Sequence, residues 1–329
     1  MSISRRSATA AIACIVGGDL LALPVRAQAA YPDRAIKLIV PYAAGGGSDF
    51  FARVVSQPLG DILGQSVVVD NRPGASGMIA TSAVARSLPA DGYTVLLTNK
   101  ALLCINPHMY AKTPYDVTEL EPVSMGGRFD FVLVVNERVL PVNTVSDIVA
   151  ASKKAPNGLN YGSPGVGTTH DFAMELFARA SGAKLTKVAY KGGAPAVQDL
   201  MAGTISLMFM DRATARPHID GGRLKAIAVA GEKRVASWPN LPTVAESGLS
   251  GFAIDDWLGF TVRRGTSPEA VQKLASAFAK VAAMPEIRKK LNESGIDIEA
   301  SSPSDFGKFI ARESVESKDL ITKLNIKLE

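Results

Sequence analysis

Short runs of apolar and β-branched residues alternate with helical patterns along the chain after residue 30, and this alternation constrains the fold most. Several of the runs are apolar on both faces, which is typical of strands buried in a parallel sheet. The predicted strands are 36–40, 67–69, 94–97, 131–135, 187–190, 205–210, 224–229 and 260–262. The predicted helices are 49–63, 78–88, 169–180, 194–202, 268–283 and 303–324. Strands that alternate with helices in this way predict an α/β architecture.

The composition indicates a globular chain that does not bind nucleic acid. With 329 residues, of which 47% are hydrophobic, the chain is long enough for about two domains and is too apolar to be disordered. Its net charge of +5 comes from cations that are scattered or paired rather than clustered in a stripe. Only 6% of the residues are aromatic, which argues against a surface on which bases stack.

Residues 1–30 have the pattern of a secretory signal. Arg5 and Arg6 supply the positive region, 8–16 and 20–23 supply the apolar region, and 27–29 fits a small-x-small cleavage site. The apolar stretch is shorter than the roughly 20 residues that span a bilayer, which disfavours a membrane anchor. We therefore expect export, to the periplasm if the source is a Gram-negative bacterium, and a mature chain with a net charge of +3 after the loss of three arginines and one aspartate.

The two cysteines exclude some kinds of site. Cys14 lies in the leader, where its spacing from Arg6 disfavours a lipid attachment site. Only Cys104 remains after cleavage, so neither an internal disulfide nor a Cys/His zinc cluster is expected. Cys104 stands in an apolar stretch, which predicts a small buried side chain.

Four strand-to-helix junctions are rich in glycine and small residues: 41–49, 71–77, 161–170 and 190–196. Glycine lets the chain turn sharply and lets a ligand approach the backbone. The first N–H groups of a helix lack backbone partners and carry partial positive charge, so each junction is a candidate anion site. Two junctions lie in the first third of the chain and two near its middle. This distribution predicts a small anion bound in a cleft between two lobes.

The motifs of these junctions, with one further motif, also carry a resemblance to a known family. They are PYAAGGGSD (41–49), NRPGASG (71–77), PADGYT (89–94), YGSPGVGT (161–168) and YKGG (190–193). In this order and spacing the chain resembles the Bug-type periplasmic solute-binding proteins of tripartite tricarboxylate transporters. The resemblance covers the whole mature chain.

The resemblance implies a type II periplasmic-binding-protein fold with two α/β lobes, a cleft and a hinge of two strands. We expect lobe one to comprise 31–130 and 254–329, lobe two to comprise 131–253, and the crossings to lie near 131–136 and 257–264. It also implies a carboxylate ligand (a di- or tricarboxylate or an aromatic carboxylate), a membrane permease as partner, a monomer, no catalysis, and neither metal nor cofactor.

The predicted ligand-binding residues are Tyr42, Gly46, Ser48, Asp49, Ser76, Gly77, Thr98, Lys100, Ser163, Gly167, Thr168, Thr169, Ala194 and Asp211. The resemblance implies these residues, apart from Lys100, which is a departure from the family pattern. Tyr42 would pack on the ligand's carbon chain, and Ser48 with nearby N–H groups would hold a carboxylate. An acid beside an anion repels it, so Asp49 is expected to cap its helix or to orient a bridging water.

Two positions depart from the family pattern. Lys100 stands where small polar residues are common, and Arg212 stands where a small or amide residue is common. If both side chains reach the cleft, they favour a dianionic ligand. The alternative, in which both side chains face solvent, stays open at this point.

The same residues argue against several other functions. The loop 45–48 lacks the Gly-Lys-Ser/Thr ending of a phosphate-binding loop, and the dinucleotide spacing is absent. A helix-turn-helix regulator is disfavoured because a secretory signal occupies the N-terminus. The alternative that remains is a hydrolase using Ser163 and His170 in the same cleft, although 162–165 does not have the spacing of a nucleophile elbow.

Overall fold

The computed structural model describes residues 31–326, and the predicted leader and its cleavage site lie outside the described residues. The described strands are β1 (Ile36–Val40), β2 (Val67–Asn71), β3 (Thr94–Asn99), β4 (Leu120–Val135), β5 (Leu159–Ser163), β6 (Leu185–Ala189), β7 (Leu207–Asp211), β8 (Lys225–Val229), β9 (Asp255–Arg263) and β10 (Ile296–Ile298). The described α-helices are α1 (Gly47–Leu63), α2 (Met78–Ser82), α3 (Asn106–Met109), α4 (Val145–Lys154), α5 (Thr169–Ser181), α6 (Gly193–Ala202), α7 (Arg212–Asp220), α8 (Pro268–Ala283), α9 (Pro285–Glu293) and α10 (Pro303–Leu324).

The strands form a sheet with the order β2-β1-β3-β9-β4-β7-β5-β6, and β8 and β10 also pair with β4. Strand β1 is parallel to β2 and β3, and β5 is parallel to β6 and β7. All the pairings of β4 and β9 are antiparallel. Parallel strands joined by helices, in two groups separated by antiparallel strands, give two α/β lobes, as predicted.

Strand β4 connects the two lobes because its two parts pair with different partners. Leu120–Asp130 pairs with β9 and β10, whereas Phe131–Val135 pairs with β7 and β8. The chain returns beside this point, where the N–H of Ile254 donates to Ala230 and the N–H of Ala230 donates to Phe131. The partners of β4 change between Asp130 and Phe131, at the edge of the segment 131–136 near which the first crossing was predicted. The segment 257–264, near which the second crossing was predicted, begins three residues after Ile254.

Local chemistry explains the helix that follows the first junction. Phe51, Val55 and Leu59 of α1 lie four residues apart and are buried on one face. The helix continues through Pro58 and ends at Gly64, which adopts a left-handed conformation (φ 72°) and donates its N–H to Gly60. This placement directs the N-terminus of α1 toward the carboxyl end of the sheet.

Three stretches of strand were not predicted. The first part of β4 contains a proline and two glycines, β5 contains Asn160 and Gly162, and β10 has only three residues. Each lacks the apolar, β-branched run that marks a strand in a sequence, and sheet pairing rather than composition defines them.

Cys104 is fully buried, as predicted. None of the helices described between residues 31 and 326 has the length and apolar content to cross a membrane.

Candidate functional site

A cavity of about 120 Å³ lies between the two lobes. Its wall combines backbone from the glycine-rich loops with apolar side chains and a few polar ones. The lining residues are Tyr42, Ala43, Ala44, Gly45, Gly46, Gly47, Ser48, Asp49, Asn99, Phe129, Pro164, Thr168, Thr169, His170, Gly192, Gly193, Ala194, Val197, Met208, Met210, Asp211, Thr214 and Asp256.

Four helices begin at this cavity, namely α1, α5, α6 and α7. The residues before α1, α6 and α7 are Gly46, Gly192 and Asp211, and none of the three caps its helix with a side-chain hydrogen bond. The first N–H groups of these helices are therefore available to a ligand. Helix α5 differs, because the Thr168 hydroxyl accepts a hydrogen bond from the N–H of Asp171.

The loop before α1 is fixed by a carboxylate inside the helix. The N–H of Gly45 donates to Asp49 at 3.0 Å, and Arg53 Nε lies 3.0 Å from the same carboxylate oxygen. Burial alone would raise the pKa of Asp49, but hydrogen bonds from Arg53 and Gly45 outweigh burial and hold this pKa below its ordinary value. Asp49 thus organises the loop, whereas the sequence predicted helix capping or water binding.

The loop before α5 uses the same device. The N–H of Gly167 donates to the Asp171 carboxylate at 3.1 Å, and Lys187 Nζ lies 3.0 Å from that carboxylate. In both loops a glycine precedes the aspartate by four residues, and a cation neutralises the aspartate. Ser48 and His170 consequently occupy equivalent positions, each being the second residue of its helix, and both line the cavity.

A chain of hydrogen bonds crosses the wall of the first lobe. The Tyr42 hydroxyl donates to Asn99 at 3.2 Å, and the Asn99 amide donates to Asp256 Oδ2 at 3.2 Å. Asp256 Oδ1 accepts from the N–H groups of Lys100 and Trp257. Only 2% of Asp256 is exposed, and its burial raises its pKa to about 6.

The wall of the second lobe carries an imidazole–carboxylate pair. His170 Nε2 lies 2.9 Å from Asp211 Oδ1, and the two side chains are each 17% exposed. Burial by itself lowers the pKa of His170, but the charge and the hydrogen bond of Asp211 outweigh burial and raise this pKa above its ordinary value. The pair therefore favours an imidazolium beside a carboxylate.

Residues 51–326 match the sequence profile described as the tripartite tricarboxylate transporter family receptor, TctC. The chain belongs to this receptor family. Among curated proteins, BugT of Bordetella pertussis is 37% identical over 273 residues, which are 82% of each chain. The receptor family and the type II fold that the motifs predicted are both confirmed.

Solved structures of similar chains agree with this assignment. Rpa4515 of R. palustris, solved with adipate, superposes on the receptor with a TM-score of 0.86 at 32% identity, covering 90% of the receptor and 99% of that chain. MatC (Rpa3494) from Rhodopseudomonas palustris, solved with bound malate, gives a TM-score of 0.84 at 25% identity, covering 88% and 100%.

The cavity of the receptor contains part of the predicted ligand-binding set. Eight of the predicted residues line it: Tyr42, Gly46, Ser48, Asp49, Thr168, Thr169, Ala194 and Asp211. Six do not: Ser76, Gly77, Thr98, Lys100, Ser163 and Gly167. Of these, Gly77 and Thr98 are buried beside the first lobe's core, where a Cβ on Gly77 would lie 3.1 Å from Pro41.

The two cations that favoured a dianionic ligand do not line the cavity. Lys100 Nζ lies 3.0 Å from Asp255 and 2.8 Å from Glu313, in a mostly buried ion-pair cluster. Arg212 donates instead to the Gly295 carbonyl at 3.0 Å, across the two lobes. The structure therefore gives Lys100 protein partners rather than a place on the cavity wall, and its contact with a ligand stays a prediction.

Ser76 and Gly167 belong to the contact between the lobes. The hydroxyls of Ser76 and Tyr110 both donate to the Val166 carbonyl on the opposite lobe. Gly167 has φ +83°, and a Cβ there would lie 2.6 Å from the Tyr110 hydroxyl oxygen. Both residues therefore contact the opposite lobe, and their contact with a ligand stays a prediction.

The geometry does not support the alternative hydrolase. The Ser163 hydroxyl donates to the Gly165 carbonyl at 3.1 Å and is fully buried, and His170 pairs with Asp211. Within residues 31–326, Ser163 and His170 share no hydrogen bond, so the pair lacks the contact that activates a nucleophile. Within the same range no cluster of His, Cys, Asp and Glu side chains suits a metal ion.

Sequence reasoning missed several residues of the wall, chiefly Asn99, Phe129, Asp256 and Thr214. Asp256 and Asn99 lie on the neighbouring strands β9 and β3, which only the sheet order brings together. His170 was considered only as a catalytic base. The Gly-x-x-x-Asp spacing shared by 45–49 and 167–171 gives His170 the position in its loop that Ser48 has in the first loop.

Proposed function

We propose that the receptor captures an organic carboxylate between its lobes and releases it unchanged. One observation carries this proposal: the N-termini of α1, α6 and α7, none with a side-chain cap, meet at one cavity with that of α5. Converging N–H groups and helix dipoles favour an anion. Adipate and malate in the two related structures are carboxylates, which supports the same ligand class here.

The helix N-termini alone do not supply enough binding free energy for micromolar affinity, so contacts with the cavity wall must contribute as well. Each helix N-terminus contributes about 0.3–1 kcal/mol at an exposed site and up to ~2 kcal/mol when partly buried. Micromolar affinity needs about 8 kcal/mol. The remainder is assigned to apolar contact with Phe129, Val197, Met208 and Met210 and to the Ser48 and Thr169 hydroxyls, which all line the cavity.

Capture would require the lobes to open and close about β4 and the return segment beside it, with lobe one formed by 31–130 and 254–329. The proposed closed state is the arrangement in which Tyr110 contacts Val166 and Arg212 contacts Gly295 across the cleft.

The leader pattern and the family support a periplasmic location. The family description supports delivery of the ligand to a membrane permease.

Thermal-shift measurements against mono-, di- and tricarboxylates, with a sugar and a nucleotide as comparison compounds, test the proposal. At least one carboxylate should raise the melting temperature, because a ligand that binds only the folded state stabilises it. The same compound should be recovered unaltered after incubation. A shift for the sugar or the nucleotide alone, or conversion of the acid, would contradict the proposal.

A further inference from the structure

The side chains that line the cavity are unusual for an anion site. Three are aspartates (Asp49, Asp211 and Asp256), one is a histidine, and no described lysine or arginine is among them. A ligand carboxylate must therefore bind backbone N–H groups and hydroxyls, while the rest of the ligand faces carboxylates. This distribution of charge restricts what the ligand can carry besides its carboxylate.

Two of the aspartates are already satisfied by the protein. Asp49 accepts hydrogen bonds from Gly45 and Arg53. Asp256 accepts from Lys100 and Trp257 at one oxygen and from Asn99 at the other. Neither carboxylate needs a donor from the ligand.

Asp211 is different, because only one of its oxygens is bonded. Oδ1 meets His170, and within residues 31–326 nothing donates to Oδ2. Oδ2 lies against the start of α1, since a Cβ on Gly47 would be 2.9 Å from it. The unpaired oxygen thus lies on the cavity wall close to Gly47.

A second observation points the same way. The Thr169 hydroxyl is buried on the cavity wall and lies close enough to the Asp256 carboxyl to lower that group's pKa, but it makes no hydrogen bond of good geometry within the described chain. Buried polar atoms in folded proteins are rarely left unpaired. An unpaired hydroxyl and an unpaired carboxylate oxygen on one wall together indicate a polar group on the occupant.

We propose that the ligand carries, besides its carboxylate, a hydrogen-bond donor, either a hydroxyl or a protonated amine, that binds Asp211 Oδ2, and that His170 orients Asp211 for this contact. A ligand with only alkyl groups would leave Oδ2 unpaired when the lobes close. A second carboxylate beside Oδ2 would be repelled. The inference rests on the proposed function and names the substrate class of the same site.

Calorimetry with two matched series tests the inference. The first series is butanoate, 2-hydroxybutanoate and 2-aminobutanoate, and the second is succinate, malate and aspartate. The proteins are the wild type, Asp211→Asn, and the control Asp220→Asn. The control alters an exposed aspartate at the C-terminal end of α7, the helix that begins directly after Asp211. Circular dichroism and melting curves establish that each variant is folded.

In at least one series we expect the hydroxy or amino acid to bind at least about 10-fold more tightly than the unsubstituted acid, butanoate or succinate. The ratio of these two affinities measures the contribution of the added donor. Asp211→Asn should reduce this ratio at least threefold, most for the amino acid, and Asp220→Asn should leave the ratio unchanged. A larger gain for the amino acids identifies a charged donor, and an equal gain identifies a hydroxyl.

Equal or tighter binding of butanoate and succinate would overturn the inference while leaving carboxylate capture intact. A gain that persists in Asp211→Asn would also overturn it. If Asp211→Asn does not fold, the wild-type ratios alone decide. The absence of binding by every carboxylate in the thermal-shift panel would instead contradict the proposed function itself.

Discussion

Lys100 and Glu313 form an ion pair in which Nζ lies 2.8 Å from Oε2, and the two side chains are only 15% and 9% exposed. The pair joins the end of β3 to α10 on the first lobe. It therefore stabilises this lobe and leaves no free ammonium for the ligand.

Lys100→Met should consequently lower stability without changing ligand affinity. Removing one partner of a buried pair leaves an uncompensated charge, which costs about 3–5 kcal/mol when burial is complete and less here because Asp255 is 36% exposed. Urea unfolding measures the loss, and calorimetry should give a change of less than twofold in affinity. The double variant Lys100→Met/Glu313→Gln should recover part of the stability. Selective loss of dicarboxylate binding in Lys100→Met would contradict this assignment.

Gly46→Val should abolish ligand binding and preserve the fold. Gly46 has φ −89° and ψ 174°, which any residue adopts, and a Cβ there meets no atom within 4 Å. The added side chain would occupy the space in front of α1 that the ligand's carboxylate needs. Gly307→Val on α10, where a Cβ would make only ordinary contact with Pro122, is the control. Normal affinity in Gly46→Val would show that the carboxylate binds elsewhere.

Arg212→Met should weaken binding through faster dissociation. Arg212 donates to the Gly295 carbonyl at 3.0 Å and to Ser237 at 3.3 Å, and its neighbour Asp211 lines the cavity. Loss of hydrogen bonds from a charged group that spans the lobes costs about 1.5–3 kcal/mol in closure. Stopped-flow measurement should show a dissociation rate about 10-fold higher or more. Arg234→Met, which breaks an exposed pair with Glu246 inside the second lobe, should leave this rate unchanged.

Much of this fold could be predicted because its signals are local. The runs that became β1, β3 and β7 are apolar over most of their length, and glycine marks the junctions before α1 and α6. The first positions of those helices follow directly from the junctions, which explains why Gly46, Ser48 and Ala194, predicted to bind the ligand, line the cavity.

The remaining residues depended on long-range contacts that no local pattern encodes. The direction of the Lys100 side chain is set by Asp255 and Glu313, which lie far along the chain. The glycine at 167 permits a close approach of Tyr110 from the other lobe, because any Cβ there would collide with the Tyr110 hydroxyl. The sequence patterns predict the loops at the cavity but do not distinguish the residues that line it from those that contact the opposite lobe.

Stability should depend on pH through Asp256, whose pKa is raised from 3.8 to about 6 by burial. Between these values the folded protein keeps a proton that the unfolded chain has lost, so this group's contribution to stability falls as pH rises. Two pH units correspond to about 3 kcal/mol. Measured against Asp256→Asn, the wild type should lose up to this amount between pH 4 and pH 6, with little further change above pH 7. A difference that is independent of pH would contradict the assigned pKa.

The most direct test of the account is a crystal structure of the receptor with the tightest carboxylate from the thermal-shift panel. We expect a ligand carboxylate within about 2.7–3.2 Å of N–H groups at the start of α1 or α6, at Gly47 and Ser48 or at Gly193 and Ala194. We also expect Lys100 to stay paired with Glu313. A carboxylate bound to Lys100, or bound outside the cavity between the lobes, would contradict carboxylate capture at these helix N-termini.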